Sequence, residues 1–197
     1  LHYVMQSEYR IVPIIIGTSH PETCGRIAQV LKPYFTRENL FIISSDFSHY
    51  PSYRDARNTD EITKNAILEN NPVTLMDTLI NNSRQRTQGL VTSLCGWTSV
   101  LTLLYMTTGN NKLTYKAIEY RNSGDGDYCF DKDSVVGYWS IAVCEQTDTK
   151  TLLSQEDKAT LLKIAREAVE SALKKGDRNF PDPVEKADPG KYPASLR

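Results

Sequence analysis

Two isoleucine-rich runs, Tyr9 to Gly17 and Asn39 to Ser45, bracket a stretch in which Cys24, Ile27, Ala28, Leu31 and Tyr34 recur at three- and four-residue intervals. The runs have the length and β-branched content of buried strands, and residues 21–35 carry the apolar stripe of an amphipathic helix. Strand, helix and strand in that order make a β-α-β unit, which implies parallel strands and a right-handed crossover. The chain is therefore expected to be α/β. Pro13 has no N–H to give a ladder, which places the first run at a sheet edge or a bulge.

The second run leads straight into Ser44-Ser45-Asp46-Phe47-Ser48-His49-Tyr50. In an open α/β sheet the carboxyl ends of parallel strands face the ligand crevice, so Asp46 and His49 stand where an acid and an imidazole can exchange protons with a substrate. A capping aspartate and a loop histidine bonded to a backbone carbonyl are the plain alternative. Downstream, Cys95 in Ser93-Leu94-Cys95-Gly96-Trp97 precedes an apolar helical stretch. At the amino end of a helix the dipole favours an anionic sulfur, the form that ligates metals or attacks electrophiles. A small buried hydrophobe is the alternative for Cys95.

The remaining pattern supplies the scaffold. Residues 58–69 read as a surface helix with Ile62, Ala66 and Ile67 inward and Asp60, Glu61 and Lys64 outward. Pro72 suits the first position of another helix, with Val73, Met76, Leu79 and Ile80 inward. Residues 96–106 are apolar nearly all round, as in a buried helix, and residues 112–120 and 134–143 read as strands. The Asp- and Gly-rich loop 122–127 lacks the ligand spacing of an EF-hand and reads as a turn. Polar residues 146–150 mark a domain boundary, after which residues 152–175 form an amphipathic helix expected to lack much of its covering.

Composition narrows the functional classes. Lys plus Arg number 23 against 24 Asp plus Glu, so no basic stripe recommends nucleic acid. The longest apolar runs fall far short of the roughly 20 residues of a membrane helix. Four irregularly spaced cysteines do not make a disulfide framework or a CxxC zinc site. With neither a leader pattern nor an initiating Met, the expected setting is a fragment of a cytoplasmic protein.

The run Ile11 to Gly17, the SSDFSHY block, Leu94-Cys95-Gly96, Tyr120-Arg121-Asn122-Ser123-Gly124-Asp125 and Val135-Val136-Gly137-Tyr138 together resemble the Memo family, relatives in fold of the class III extradiol dioxygenases. From about Leu152, Leu153-Ser154-Gln155-Glu156-Asp157-Lys158 resembles the opening of an AMMECR-type domain. The combination is that of AmmeMemoRadiSam proteins. The resemblance implies the C-terminal part of a Memo-like domain over 1–146, a linker at 147–151 and an incomplete AMMECR-type domain over 152–197.

It also implies metal-dependent redox chemistry on iron or copper, with Cys95 as a metal ligand, Asp46 and His49 as proton-handling residues, and a radical-SAM protein as partner. The family's two upstream histidine ligands lie before Leu1, and His2 and His20 do not match their motifs, so weak metal binding is expected of this chain as given. Trp97 stands where many relatives carry arginine. Two other readings follow from the same resemblance: a peptide- or protein-binding module that keeps the pocket, and an assembly subunit serving the radical-SAM partner. The chain has no CxxxCxxC motif of its own for a radical-SAM cluster.

Overall fold

The computed structural model describes residues 8–126, 131–146, 159, 160, 162, 163 and 166. Two compact units divide between Glu145 and Gln146. The first is mixed α/β, with helices α1 (Pro21–Leu31), α2 (Tyr53–Leu68), α3 (Pro72–Arg84) and α4 (Trp97–Thr107), followed by strands β1 (Leu113–Asn122) and β2 (Gly137–Glu145). In the second, Ala159, Thr160, Leu162, Lys163 and Arg166 are helical and exposed. The rest of the expected amphipathic helix lies outside the described residues, as does Cys129.

Local chemistry sets the helix starts. Pro21 and Pro72 occupy first-turn positions where their missing N–H costs nothing, and Asn71 Oδ1 accepts from Val73 N at 2.9 Å. Ser52 caps α2 by accepting from Asp55 N at 3.2 Å, so this helix begins five residues earlier than its apolar pattern alone suggests. The core joins Cys24 of α1, Ala66 and Ile67 of α2, Leu75 of α3, Val100, Leu101 and Leu104 of α4, and Tyr115 of β1 around Phe47 and Leu94. α1 packs along α4, while α2 packs on α3 and on both strands. Among the described residues no helix is long and apolar enough to cross a membrane.

Three expectations are corrected. Segments 9–17 and 39–45 contain no hydrogen-bonded strand, so the β-α-β unit is not formed among the described residues. The sheet is instead the antiparallel pair β1 and β2, registered from Leu113 with Glu145 to Asn122 with Gly137 and interrupted between Ala117 and Glu119. Ile15 is 96% and Leu40 73% exposed, because a strand exists only where another backbone answers its N–H and C=O groups. On α2, Ala66 and Ile67 face inward and Glu61 outward as expected, but Asp60 is 0% exposed and Lys64 buried, whereas Ile62 is 45% exposed. On α3, Leu75 is buried in place of the exposed Val73 and Ile80.

The turn after β1 is held by a reciprocal cap. Asn122 Oδ1 accepts from Gly124 N at 2.9 Å, while Asp125 accepts from Asn122 N at 2.8 Å and from Tyr53 Oη at 2.6 Å. Burial by itself would raise the Asp125 carboxyl, but these two bonds, with Arg121 and Arg57 nearby, hold it below the ordinary carboxylate range. A carboxyl lowered on folding binds fewer protons in the folded chain than in the unfolded one. Its stabilisation is therefore full above the ordinary carboxylate value and is lost as pH falls through that value toward the lower folded one. Between about pH 5 and pH 3 the thermal midpoint of the native chain is expected to fall more steeply than that of Asp125→Asn. Parallel melting curves for the two proteins would count against this account.

Candidate metal centre

Residues 46–51 are stitched on both sides to distant backbone and bend at Tyr50 and Pro51. On one side His49 N donates to Thr92 O and Val91 N to His49 O, both at 3.0 Å, and Cys95 N donates to Asp46 O at 3.1 Å. On the other, Phe47 N reaches Gly137 O at 2.8 Å, Gly137 N reaches Ser48 O at 2.9 Å, and Tyr50 N reaches Val135 O at 2.7 Å. His49 consequently forms isolated bridges to both Thr92 and Val136. The loop is wedged between the approach to α4 and the approach to β2.

This stitching brings together the three residues singled out in the sequence. One donor atom each from Asp46, His49 and Cys95 lie within 4.8 Å of one another, and among the described residues no other group of three or more metal-capable side chains converges. Asp46 N donates to Cys95 Sγ at 3.1 Å. Asp46 Oδ2 lies 3.4 Å from His49 Nε2, near enough for attraction but outside hydrogen-bond geometry. His49 Nε2 is buried and has no hydrogen-bond partner. The Cys95 residue is exposed, so the plain reading of a cysteine packed in the core does not hold.

The close approach of the two segments depends on Gly96. A Cβ there would stand 2.7 Å from Ser45 Cβ and 3.1 Å from Ser44 O. Without it, Gly96 N donates to Ser45 Oγ at 2.8 Å, and the same hydroxyl donates to Asp46 O at 2.8 Å. Gly96 is also the N-cap of α4, which places Cys95 just outside the positive end of that helix.

Beneath the loop is a buried acid that the helical pattern had assigned to solvent. Asp60 Oδ1 accepts from Ser48 N at 2.9 Å, and Oδ2 accepts from Ser48 Oγ at 3.0 Å and Tyr120 Oη at 2.8 Å. Burial pushes its carboxyl up, opposed by the bonds from Tyr120 and Ser48 and by nearby His49. A period of three and four running through Ala56, Thr59, Asp60, Thr63, Lys64 and Ile67 could have exposed this face, had small and polar residues been counted with the apolar ones.

Neighbouring aromatic residues make structural contacts, and the nearby arginines face solvent. Trp97 packs against the core, Tyr53 bonds Asp125 and receives Lys132 over its ring at 5.0 Å, and Arg54, Arg84 and Arg86 are exposed. Tyr50 is exposed and tilts against His49 with ring centroids 5.5 Å apart. Its φ of 70° is unusual for a bulky side chain and marks local strain at the mouth of the site.

The three donors differ in hardness. An imidazole nitrogen, a carboxylate oxygen and a sulfur form a mixed set suited to borderline first-row metals. Ligand bonds of about 2.0–2.3 Å put two donors on one tetrahedral ion roughly 3.3–3.8 Å apart, so the observed spread of up to 4.8 Å closes onto one ion with side-chain shifts of about 1 Å. The separation of roles expected from sequence, one ligand and two proton carriers, is not imposed by distance.

A family model described as Memo-like protein matches residues 1–142. A MEMO1 family protein of Methanosarcina mazei is 28% identical over 148 residues, covering 73% of this chain and 51% of that protein. One from Methanosarcina barkeri is 29% identical over 147 residues, with coverages of 73% and 51%. Another, from Methanocaldococcus jannaschii, is 32% identical over 145 residues, with coverages of 70% and 45%. The chain thus spans about half the length of the curated relatives it matches.

Proposed function

We propose, from the premise that this chain belongs to the Memo-like protein family, that Asp46, His49 and Cys95 form part of a transition-metal centre supporting redox chemistry. The observation that carries this reading is the convergence of three unlike donors on a buried imidazole nitrogen that has no other partner. An unsatisfied buried polar atom costs about 1–3 kcal/mol, which an ion accepting its lone pair would remove. Iron and copper are the metals proposed, and either, when bound, supplies one-electron chemistry and a Lewis-acid position.

The protein's own groups have distinct tasks. His49 is fixed through its backbone on both sides, so its ring needs little reorganisation to bind. Asp46 keeps about half of its side chain in contact with solvent and can pass protons between water and a bound molecule. Cys95 Sγ, held by the Asp46 N–H, forms the exposed rim. Because the chain spans half of its relatives' length, substrate and partners belong to the same proposal. A radical-SAM protein is the partner proposed from the family resemblance.

Anaerobic titration with iron(II) or copper(I), followed by oxygen uptake under reductant, tests the reading. Weak but saturable binding below millimolar metal, with uptake that depends on the metal, is expected of this chain. No saturation even at millimolar metal would remove the metal centre and leave the peptide-binding module as the better account.

A further inference from the structure

We infer that Asp60 is a positioning residue for this centre, fixing the Phe47 to Ser48 peptide from below and thereby aiming both Asp46 and His49. The inference rests on the metal-centre reading for its role and on separate geometry for its existence. Ser48 is fully buried and is held at three points. Its N–H and hydroxyl both donate to Asp60, at 2.9 and 3.0 Å, and its carbonyl accepts from Gly137 N at 2.9 Å. Asp46 lies two residues before this anchor and His49 one residue after it, so a shift of Ser48 moves both donors.

Three features distinguish Asp60 from an ordinary buried acid. It comes from α2, an element that contributes none of the three donors, and therefore ties the loop to a rigid helix. Tyr120 of β1 donates to the same oxygen as the Ser48 hydroxyl, which fixes the carboxylate against the sheet as well. Gly137 of β2 leaves the space the carboxylate occupies, since a Cβ there would lie 1.8 Å from Asp60 Oδ2. Helix, sheet and loop thus meet on one side chain. Groups that orient ligands in this indirect way commonly change metal affinity by about 10- to 100-fold when removed.

The variants are Asp60→Ala, Asp60→Asn and Ser48→Ala, with Asn82→Ala as a control. Asn82 is buried and donates to Thr63 Oγ1 at 3.1 Å, on the same helix as Asp60. Thermal midpoint, cobalt(II) affinity with its visible spectrum, and the alkylation rate of Cys95 in metal-free protein, followed on the Cys95 peptide by mass spectrometry, are measured for each.

Asp60→Ala should weaken cobalt binding by about 10- to 100-fold and change the Cys95 alkylation rate several-fold, with most of both restored in Asp60→Asn. Asn82→Ala should lose stability without moving either readout. The inference is overturned if Asp60→Ala changes stability alone, or if the control shifts cobalt affinity and alkylation equally. Should Asp60→Ala not fold, the comparison of Asp60→Asn and Ser48→Ala with the control decides it. Failure of the native chain to bind cobalt would count against the metal centre, while the alkylation rates still test the positioning.

Discussion

Gly137→Ala is expected to lower the stability of the native chain by roughly 3–5 kcal/mol, combining an overpacked contact with a broken buried hydrogen bond. The reason is space rather than conformation. The added methyl would meet Asp60 Oδ2 at 1.8 Å and Cγ at 2.7 Å. Gly137 cannot retreat freely, because its N–H and its carbonyl are both bonded to the 47–48 segment. The carboxylate must therefore leave, and Ser48 N then loses its buried acceptor. Such a loss is large beside a typical total stability of about 5–15 kcal/mol. Urea denaturation of Gly137→Ala, Asp60→Ala and the double variant supplies the check. Relief of the clash should make the double variant more stable than the sum of the single effects by at least about 1 kcal/mol, whereas strict additivity would sink the account.

His49→Ala should reduce metal affinity by roughly 100-fold or more, because loss of a ligand exceeds the effect usually seen on losing a group that merely orients one. Of the three donors, His49 has its ring most enclosed and its backbone bonded to Thr92 and Val91 on one side, with the adjacent Ser48 bonded to Gly137 on the other. The backbone hydrogen bonds that hold the loop do not involve the imidazole, so the variant should keep its fold while losing the ion. Isothermal titration with iron(II), paired with melting curves, separates the two effects. Unchanged affinity in a folded His49→Ala protein would remove the imidazole from the proposed ligand set.

Side-chain pattern carried the helices and the closing strand pair, but not the partners of the isoleucine-rich segments. α1, α3 and α4 begin where proline, glycine and apolar spacing place them, since those signals act within a few residues of the backbone they control. Residues 9–17 and 39–45 show the limit of that approach. Their composition favours strands, yet a strand requires a second backbone at hydrogen-bonding distance, and composition does not supply one. Asp46, His49 and Cys95 were singled out in the sequence at a strand end and a helix start of an open α/β sheet; they converge although no parallel sheet is formed among the described residues. Asp60 was not singled out, because a charged residue on a helix is ordinarily assigned to water and its desolvation is offset here by donors from three separate parts of the chain.

The stitching of the 46–51 segment also has a kinetic consequence. Asp46 and Cys95 are separated by 49 positions in the chain, and the bonds to Val135 and Gly137 close still longer loops. Each closure carries an entropic cost that short-range helix formation avoids, so the donor set should assemble late, after α1 has packed on α4 and α2 on α3. A ligand selective for the assembled set cannot act as a folding nucleus. It would instead slow unfolding, and the lifetime of the native state in a pulse of protease should lengthen as ligand concentration rises.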